Sequence, residues 1–157
     1  MKTRILMVCL GNICRSPLAE GILRSKVHPE KVFVDSAGTI SYHEGNPPDP
    51  RSVAIASKYG IDITSQRCRK FQVSDFEEFD HIYVMDNSNY NDVVGLARNE
   101  KERQKVDLIL NLVFPKENVD VPDPYYGGEK GFQNVFKMLD EACETLAGNL
   151  KNKQPSL

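Results

Sequence analysis

At 157 residues, 40% of them hydrophobic, the chain has the size of one domain with a real core and is too short for two domains of ordinary size. Lys and Arg, 20 together, nearly cancel the 22 Asp and Glu, so a net charge of -2 provides no broad field for nucleic acid or an anionic membrane, and any bound anion must be met locally. Four cysteines, at positions 9, 14, 68 and 143, are too few and too scattered for a disulfide-stapled secreted scaffold, and no apolar run nears the roughly 20 residues that cross a bilayer. The expectation is a soluble, cytoplasmic, monomeric protein whose cysteines are thiols.

The first element is Arg4-Ile5-Leu6-Met7-Val8-Cys9, which is continuously apolar rather than alternating, the pattern of a strand buried on both faces. It breaks at Gly11-Asn12. Ser16-Pro17 then predicts a helix start with Ser16 as N-cap, and Leu18, Ile22, Leu23 and Val27 supply its apolar stripe up to His28-Pro29. Residues 31–34 read as a second strand, closed by a turn at Asp35-Ser36-Ala37-Gly38. Gly45, Pro47, Pro48 and Pro50 mark residues 41–50 as a surface loop, and a helix is predicted over residues 51–59 with Gly60 as its cap.

Residues 81–85 and 105–110 are two further short apolar strands, separated by a polar, partly helical stretch over residues 87–103. A long Pro-, Gly- and Asp-rich loop covers residues 115–128. Phe132, Val135, Phe136, Leu139, Ala142, Cys143 and Leu146 then repeat at three and four, which predicts an amphipathic closing helix ahead of a polar tail. Strands alternating with helices argue for a single α/β domain over residues 1–157. It would be a three-layer sandwich with a four-stranded parallel sheet, flavodoxin-like or Rossmann-like, with a phosphate loop after the first strand.

In such a sheet a ligand sits at the carboxyl ends of the strands, beside helix N-termini. The turn there is Cys9-Leu10-Gly11-Asn12-Ile13-Cys14-Arg15-Ser16, and its composition suits a tetrahedral oxyanion. Gly11 and Asn12 tolerate left-handed backbone angles, so that Leu10, Gly11, Asn12, Ile13 and Cys14 can turn their N–H groups inward as a nest, reinforced by the helix dipole. Arg15 closes the cradle with a planar two-pronged contact that lysine could not make. The same field is expected to hold Cys9 as a thiolate, with Ser16 placed to donate a hydrogen bond to the sulfur. A cysteine followed six positions later by an arginine is a weak pattern alone, and a buried structural cysteine beside a surface arginine is the plain alternative. Only Cys9 has an arginine at that offset, however, and it falls at a strand-to-helix turn that also has Gly, Ser and Pro in register. A Walker loop is excluded, because no Gly-Lys-Ser/Thr follows the strand.

The run Val8-Cys9-Leu10-Gly11-Asn12-Ile13-Cys14-Arg15-Ser16-Pro17 resembles the signature of the low-molecular-weight protein tyrosine phosphatases. The resemblance extends along nearly the whole chain through Asp35-Ser36-Ala37-Gly38-Thr39, Pro48-Asp49-Pro50-Arg51, Met85-Asp86 and Asp123-Pro124-Tyr125-Tyr126. It implies a metal- and cofactor-independent two-step hydrolysis: Cys9 as nucleophile, Arg15 with the loop as phosphate binder, and Asp123 as general acid and then base. It further implies that Asn12, Ser16, Ser36 and Asp86 hold the loop in shape, that Ile13, Tyr42, Tyr125 and Tyr126 wall a phosphotyrosine slot, and that Cys9 and Cys14 pair on oxidation. The partners it implies are phosphotyrosine proteins, with phosphate and other oxyanions as inhibitors.

Where that family tends to carry a histidine, this chain has Gln66, which cannot titrate. The three histidines, at 28, 43 and 81, have no metal-site spacing. The related protein-arginine phosphatases tend to have a small polar residue at the position of Ile13 and lack the paired tyrosines. A thioredoxin-coupled arsenate reductase would require further cysteines near the third strand, and residues 75–100 contain none. The rival from another class is a phosphate-sensing module that has lost turnover, against which the intact trio Cys9, Arg15 and Asp123 argues. Cys143 falls on the apolar stripe of the last helix, and Cys68 has no assigned role.

Overall fold

The computed structural model describes residues 2–124 and 127–153. The sheet contains β1 (Thr3–Cys9), β2 (Val32–Gly38), β3 (His81–Val84) and β4 (Val106–Leu108), all parallel, in the order β2-β1-β3-β4. β1 is central, and its continuous apolar run has the reason expected of it. Ile5, Met7 and Cys9 face one core and Leu6 and Val8 the other, so neither side of the strand meets water.

The first core is closed by α1 (Arg15–Lys26), α2 (Pro50–Lys58) and the long α6 (Gly128–Lys153). Leu18, Ile22 and Leu23 of α1 meet Phe132, Val135, Phe136, Leu139 and Cys143 of α6 there, all but excluded from solvent. The second core collects Phe71, Phe76, Phe79 and Val93 from the side of α3 (Asp75–Glu78) and α4 (Asn87–Val94), while α5 (Glu100–Gln104) leads into β4. The three-layer α/β architecture is therefore the one expected.

From β1 the chain steps to β2 on one side and then crosses to β3 on the other. The point where strand order reverses lies at the carboxyl end of β1, where open α/β sheets place their ligands.

Three local expectations are corrected. Ser16 does not cap α1: the helix begins at Arg15 with Cys14 in the cap position and no side-chain cap, because the Ser16 hydroxyl is occupied by Cys9 and Asn12. Asp35-Ser36-Ala37-Gly38 is not a turn but the second half of β2, in register with β1 as far as Cys9 opposite Gly38. The polar Asp35 and Ser36 that suggested a turn are a strand's polar contacts, to Arg69 and to a buried network. The fourth strand ends at Leu108, and Ile109–Leu112 tightens into a 3₁₀ turn. Among the described residues, no helix is long and apolar enough to cross a membrane.

Candidate active site

The loop between β1 and α1 is held by its carbonyl oxygens. The Cys9 carbonyl accepts from Thr39 N–H (3.0 Å), that of Leu10 from Ile40 N–H (3.1 Å), that of Ile13 from Asp49 N–H (2.8 Å) and that of Cys14 from Leu18 N–H (3.3 Å). The Asn12 carbonyl accepts from the Cys68 thiol at 2.8 Å. In a planar trans peptide the C=O and the next N–H point opposite ways. With these carbonyls tied outward into the protein, the N–H groups of Leu10, Gly11, Ile13, Cys14 and Arg15 turn to the opposite side as a concave run of donors, a set that differs from the sequence expectation in having Arg15 and not Asn12. Asn12 makes this curvature possible at φ 58, a left-handed angle that asparagine accepts more readily than most residues.

The Asn12 side chain is fully employed. Its Nδ2 donates to Ser16 Oγ (2.8 Å) and Ser36 Oγ (3.0 Å), and its Oδ1 accepts from Arg69 N–H (3.0 Å). Ser16 Oγ lies 3.0 Å from Cys9 Sγ, and Ser36 Oγ donates to Glu20 Oε1 at 2.7 Å. A continuous buried chain thus runs from Glu20 through Ser36, Asn12 and Ser16 to the sulfur. Ser16 Oγ accepts from Asn12, and either oxygen or sulfur can be the donor in its contact with Cys9 Sγ; the Ala37 carbonyl, at 3.5 Å, is a further acceptor for the Ser16 proton.

Arg15 is buried, and its Nη1 donates to Asp86 Oδ2 (2.7 Å) and to the Val121 carbonyl (2.9 Å). Burial alone would disfavour its charge. The negative charge on Cys9 and the bond to Asp86 outweigh this and hold Arg15 above its ordinary pKa. Asp86 is itself placed by capping α4, its Oδ1 accepting from Asn89 N–H at 2.7 Å.

Cys9, Leu10, Gly11, Ile13, Cys14, Arg15 and Asp123 line one cavity of about 260 Å³, so residues more than a hundred positions apart share a space. Tyr42 stands at its mouth, 82% exposed, packed edge-on against His43. Tyr125 and Tyr126 lie outside the described residues. Burial pushes the Cys14 thiol up to about 12, helped by the charges of Asp49 and Cys9.

Sequence reasoning missed four neighbours of this site. Ile40 and His43 line the cavity, and His43 lies close against Gly11. Glu20 sits on α1 among apolar residues, where its position five residues beyond Arg15 was the available signal. Cys68 reaches the loop from behind and carried no signal at all. Gln66 donates to the Pro17 carbonyl at 3.2 Å, against α1.

Comparison with known proteins agrees with this geometry. Residues 4–156 match the family model for low molecular weight phosphotyrosine protein phosphatase. The low molecular weight phosphotyrosine protein phosphatase of Schizosaccharomyces pombe is 42% identical over 141 residues, covering 87% of this chain and 89% of the relative. The crystal structure of a protein tyrosine phosphatase from Entamoeba histolytica with Hepes in its active site superposes with a TM-score of 0.89 at 40% identity, over 98% of this chain and 100% of that one. Vibrio vulnificus Wzb in complex with benzylphosphonate superposes with a TM-score of 0.84 at 28% identity, over 95% and 99%.

Proposed function

Because the chain belongs to the low molecular weight phosphotyrosine protein phosphatases, and is thereby a hydrolase of phosphate monoesters, we propose that it cleaves phosphotyrosine and small aryl phosphates through a phosphocysteine on Cys9, without a metal. The observation that carries the proposal is the meeting of Cys9, Arg15 and Asp123 on one cavity floored by inward-turned amides.

The chemistry follows from that arrangement. Cys9 thiolate attacks phosphorus, an S–P bond forms, and the bond from phosphorus to the phenolic oxygen breaks. Arg15 has both N–H groups of Nη1 engaged by Asp86 and Val121, which leaves Nε and Nη2 to bind two equatorial oxygens side by side. The loop amides meet the remaining charge, so the positive field a metal would supply comes from the chain itself. Asp123 gives its proton to the departing phenolate. It then takes one from the water that attacks phosphorus and releases Cys9 with inorganic phosphate. Ile13 and Tyr42 supply apolar wall for the ring, and benzylphosphonate bound to Wzb is a compound of the same shape class. A free thiolate nucleophile favours a reducing cytoplasm, and Cys14, lining the same cavity, serves as its reversible partner on oxidation.

The test is hydrolysis of an aryl phosphate in the presence of a chelator. Wild type turns over, Cys9→Ser does not, and Asp123→Ala loses about 10² to 10⁴ in rate, the range of general acid catalysis. Full activity in Cys9→Ser, or loss of wild-type activity on chelation, would overturn the mechanism.

A further inference from the structure

Cys68 is buried at 4% exposure behind the phosphate loop, outside the space where substrate binds. Three parts of the site converge on it and its neighbour. Its backbone is bracketed by the loop that carries Tyr42 and His43, since Gly45 N–H donates to the Cys68 carbonyl and Cys68 N–H donates to the Asn46 carbonyl, each at 2.8 Å. Its thiol lies 2.8 Å from the Asn12 carbonyl, with the Pro47 carbonyl a distant second at 4.0 Å. The next residue, Arg69, donates its N–H to Asn12 Oδ1 and accepts at its carbonyl from Gly38 N–H.

Both ends of Asn12, carbonyl and side chain, are therefore gripped by residues 68 and 69. Asn12 is the residue whose left-handed backbone turns the loop around the anion. A carbonyl left without a donor there would be free to rotate, and in rotating would swing the next N–H, that of Ile13, away from the cavity.

We infer that Cys68 is a positioning residue of the phosphatase site, whose thiol proton clamps the Asn12 carbonyl and so keeps the Ile13 N–H aimed at the bound phosphate while its backbone ties the substrate-wall loop to the same clamp. The inference rests on the phosphatase reading of the cavity for its consequence in turnover, but not for its consequence in anion binding. The thiol is in the donating form throughout the physiological range, because burial, together with the charge of Cys9, pushes it up to about 11. It acts as an inert hydrogen-bond donor that neither attacks nor ionises.

Two substitutions separate clamping from packing. Cys68→Val keeps apolar volume and removes the donor; Cys68→Ser keeps a donor. Inorganic phosphate affinity is read by calorimetry, turnover of an aryl phosphate by steady-state kinetics, and stability by thermal unfolding. For Cys68→Val the expected result is phosphate affinity and kcat/KM both reduced about three- to tenfold, the range for one neutral hydrogen bond, with Cys68→Ser within about twofold of wild type. If Cys68→Val disrupts folding, Cys68→Ala removes the donor with less crowding and is measured in its place. Wild-type phosphate affinity in the donor-free variant, or an equal loss in Cys68→Ser, would overturn the inference. A wild-type protein that binds phosphate but turns nothing over would refute the catalytic reading alone, and the affinities would still decide the role of Cys68.

Discussion

Cys14 lines the same cavity as Cys9, and its surroundings bear on the redox role proposed for it. Burial first, then the charges of Asp49 and Cys9, push its thiol up to about 12, so at neutral pH Cys14 stays protonated. In the proposed cycle, peroxide oxidises ionised Cys9 to a sulfenic acid. That step removes the Cys9 charge, one of the causes holding the Cys14 proton, and so eases ionisation of Cys14 when a second thiolate is needed. Attack of Cys14 on the sulfenic sulfur forms the disulfide and expels water. The expected outcome is that mild peroxide inactivates wild type and a dithiol restores it, with a Cys9–Cys14 linkage found by peptide mass spectrometry. Cys14→Ser should instead accumulate sulfinic and sulfonic acid at Cys9 and not recover. Equal overoxidation of Cys9 in the two proteins would count against the guard.

At the scale of elements, the site is a join between the ends of β1, β2 and α1, and Gly38 sets how closely they meet. A Cβ at Gly38 would stand 2.8 Å from the Leu10 oxygen and 3.0 Å from the Gly11 carbonyl carbon. Both are backbone atoms of the phosphate loop, so nothing can swing aside. Gly38→Ala is expected to push the loop outward and lower kcat/KM about ten- to hundredfold, as misplacement near 1 Å does. It should also cost about 1 to 3 kcal/mol of stability, the range for overpacking, measured by urea unfolding. An alanine variant with unchanged phosphate affinity would show that the join is not tight. This join also explains which features were legible beforehand. β1 was readable because a run buried on both faces needs no partner to identify it, and the loop because cysteine, turn residues and arginine lie within seven positions of one another. Ser16 and residues 35–38 were misread because their polar side chains look like caps and turns until their partners are known. Those partners are distant: Ser36 meets Glu20 on the neighbouring helix, and Cys68 meets Asn12 across 56 positions.

For the molecule as a whole, the polar chain that shapes the site is buried against the first core and carries a cost that depends on pH. Glu20 is 3% exposed on α1 among apolar neighbours. Desolvation raises its pKa from 4.5 to about 7, against the opposing pull of the Ser36 hydroxyl and of Arg24, whose guanidinium lies 3.3 Å away. Between those two pH values the folded protein holds a proton that the unfolded chain has released, so stability falls as pH rises through the interval and the full penalty is present above it. At about 1.4 kcal/mol per pKa unit, the effect is on the order of 3 kcal/mol. Glu20→Gln removes the titration while keeping an oxygen for the Ser36 hydroxyl. Urea unfolding at pH 5 and pH 8 should therefore show the variant gaining on wild type as pH rises, equal or weaker at pH 5 and stronger at pH 8. Taking the difference between the two proteins cancels the titrating groups that are not coupled to Glu20. A difference that stays constant from pH 5 to pH 8 would mean that Glu20 keeps its ordinary carboxylate behaviour, and that the network tolerates a full negative charge without loss of stability.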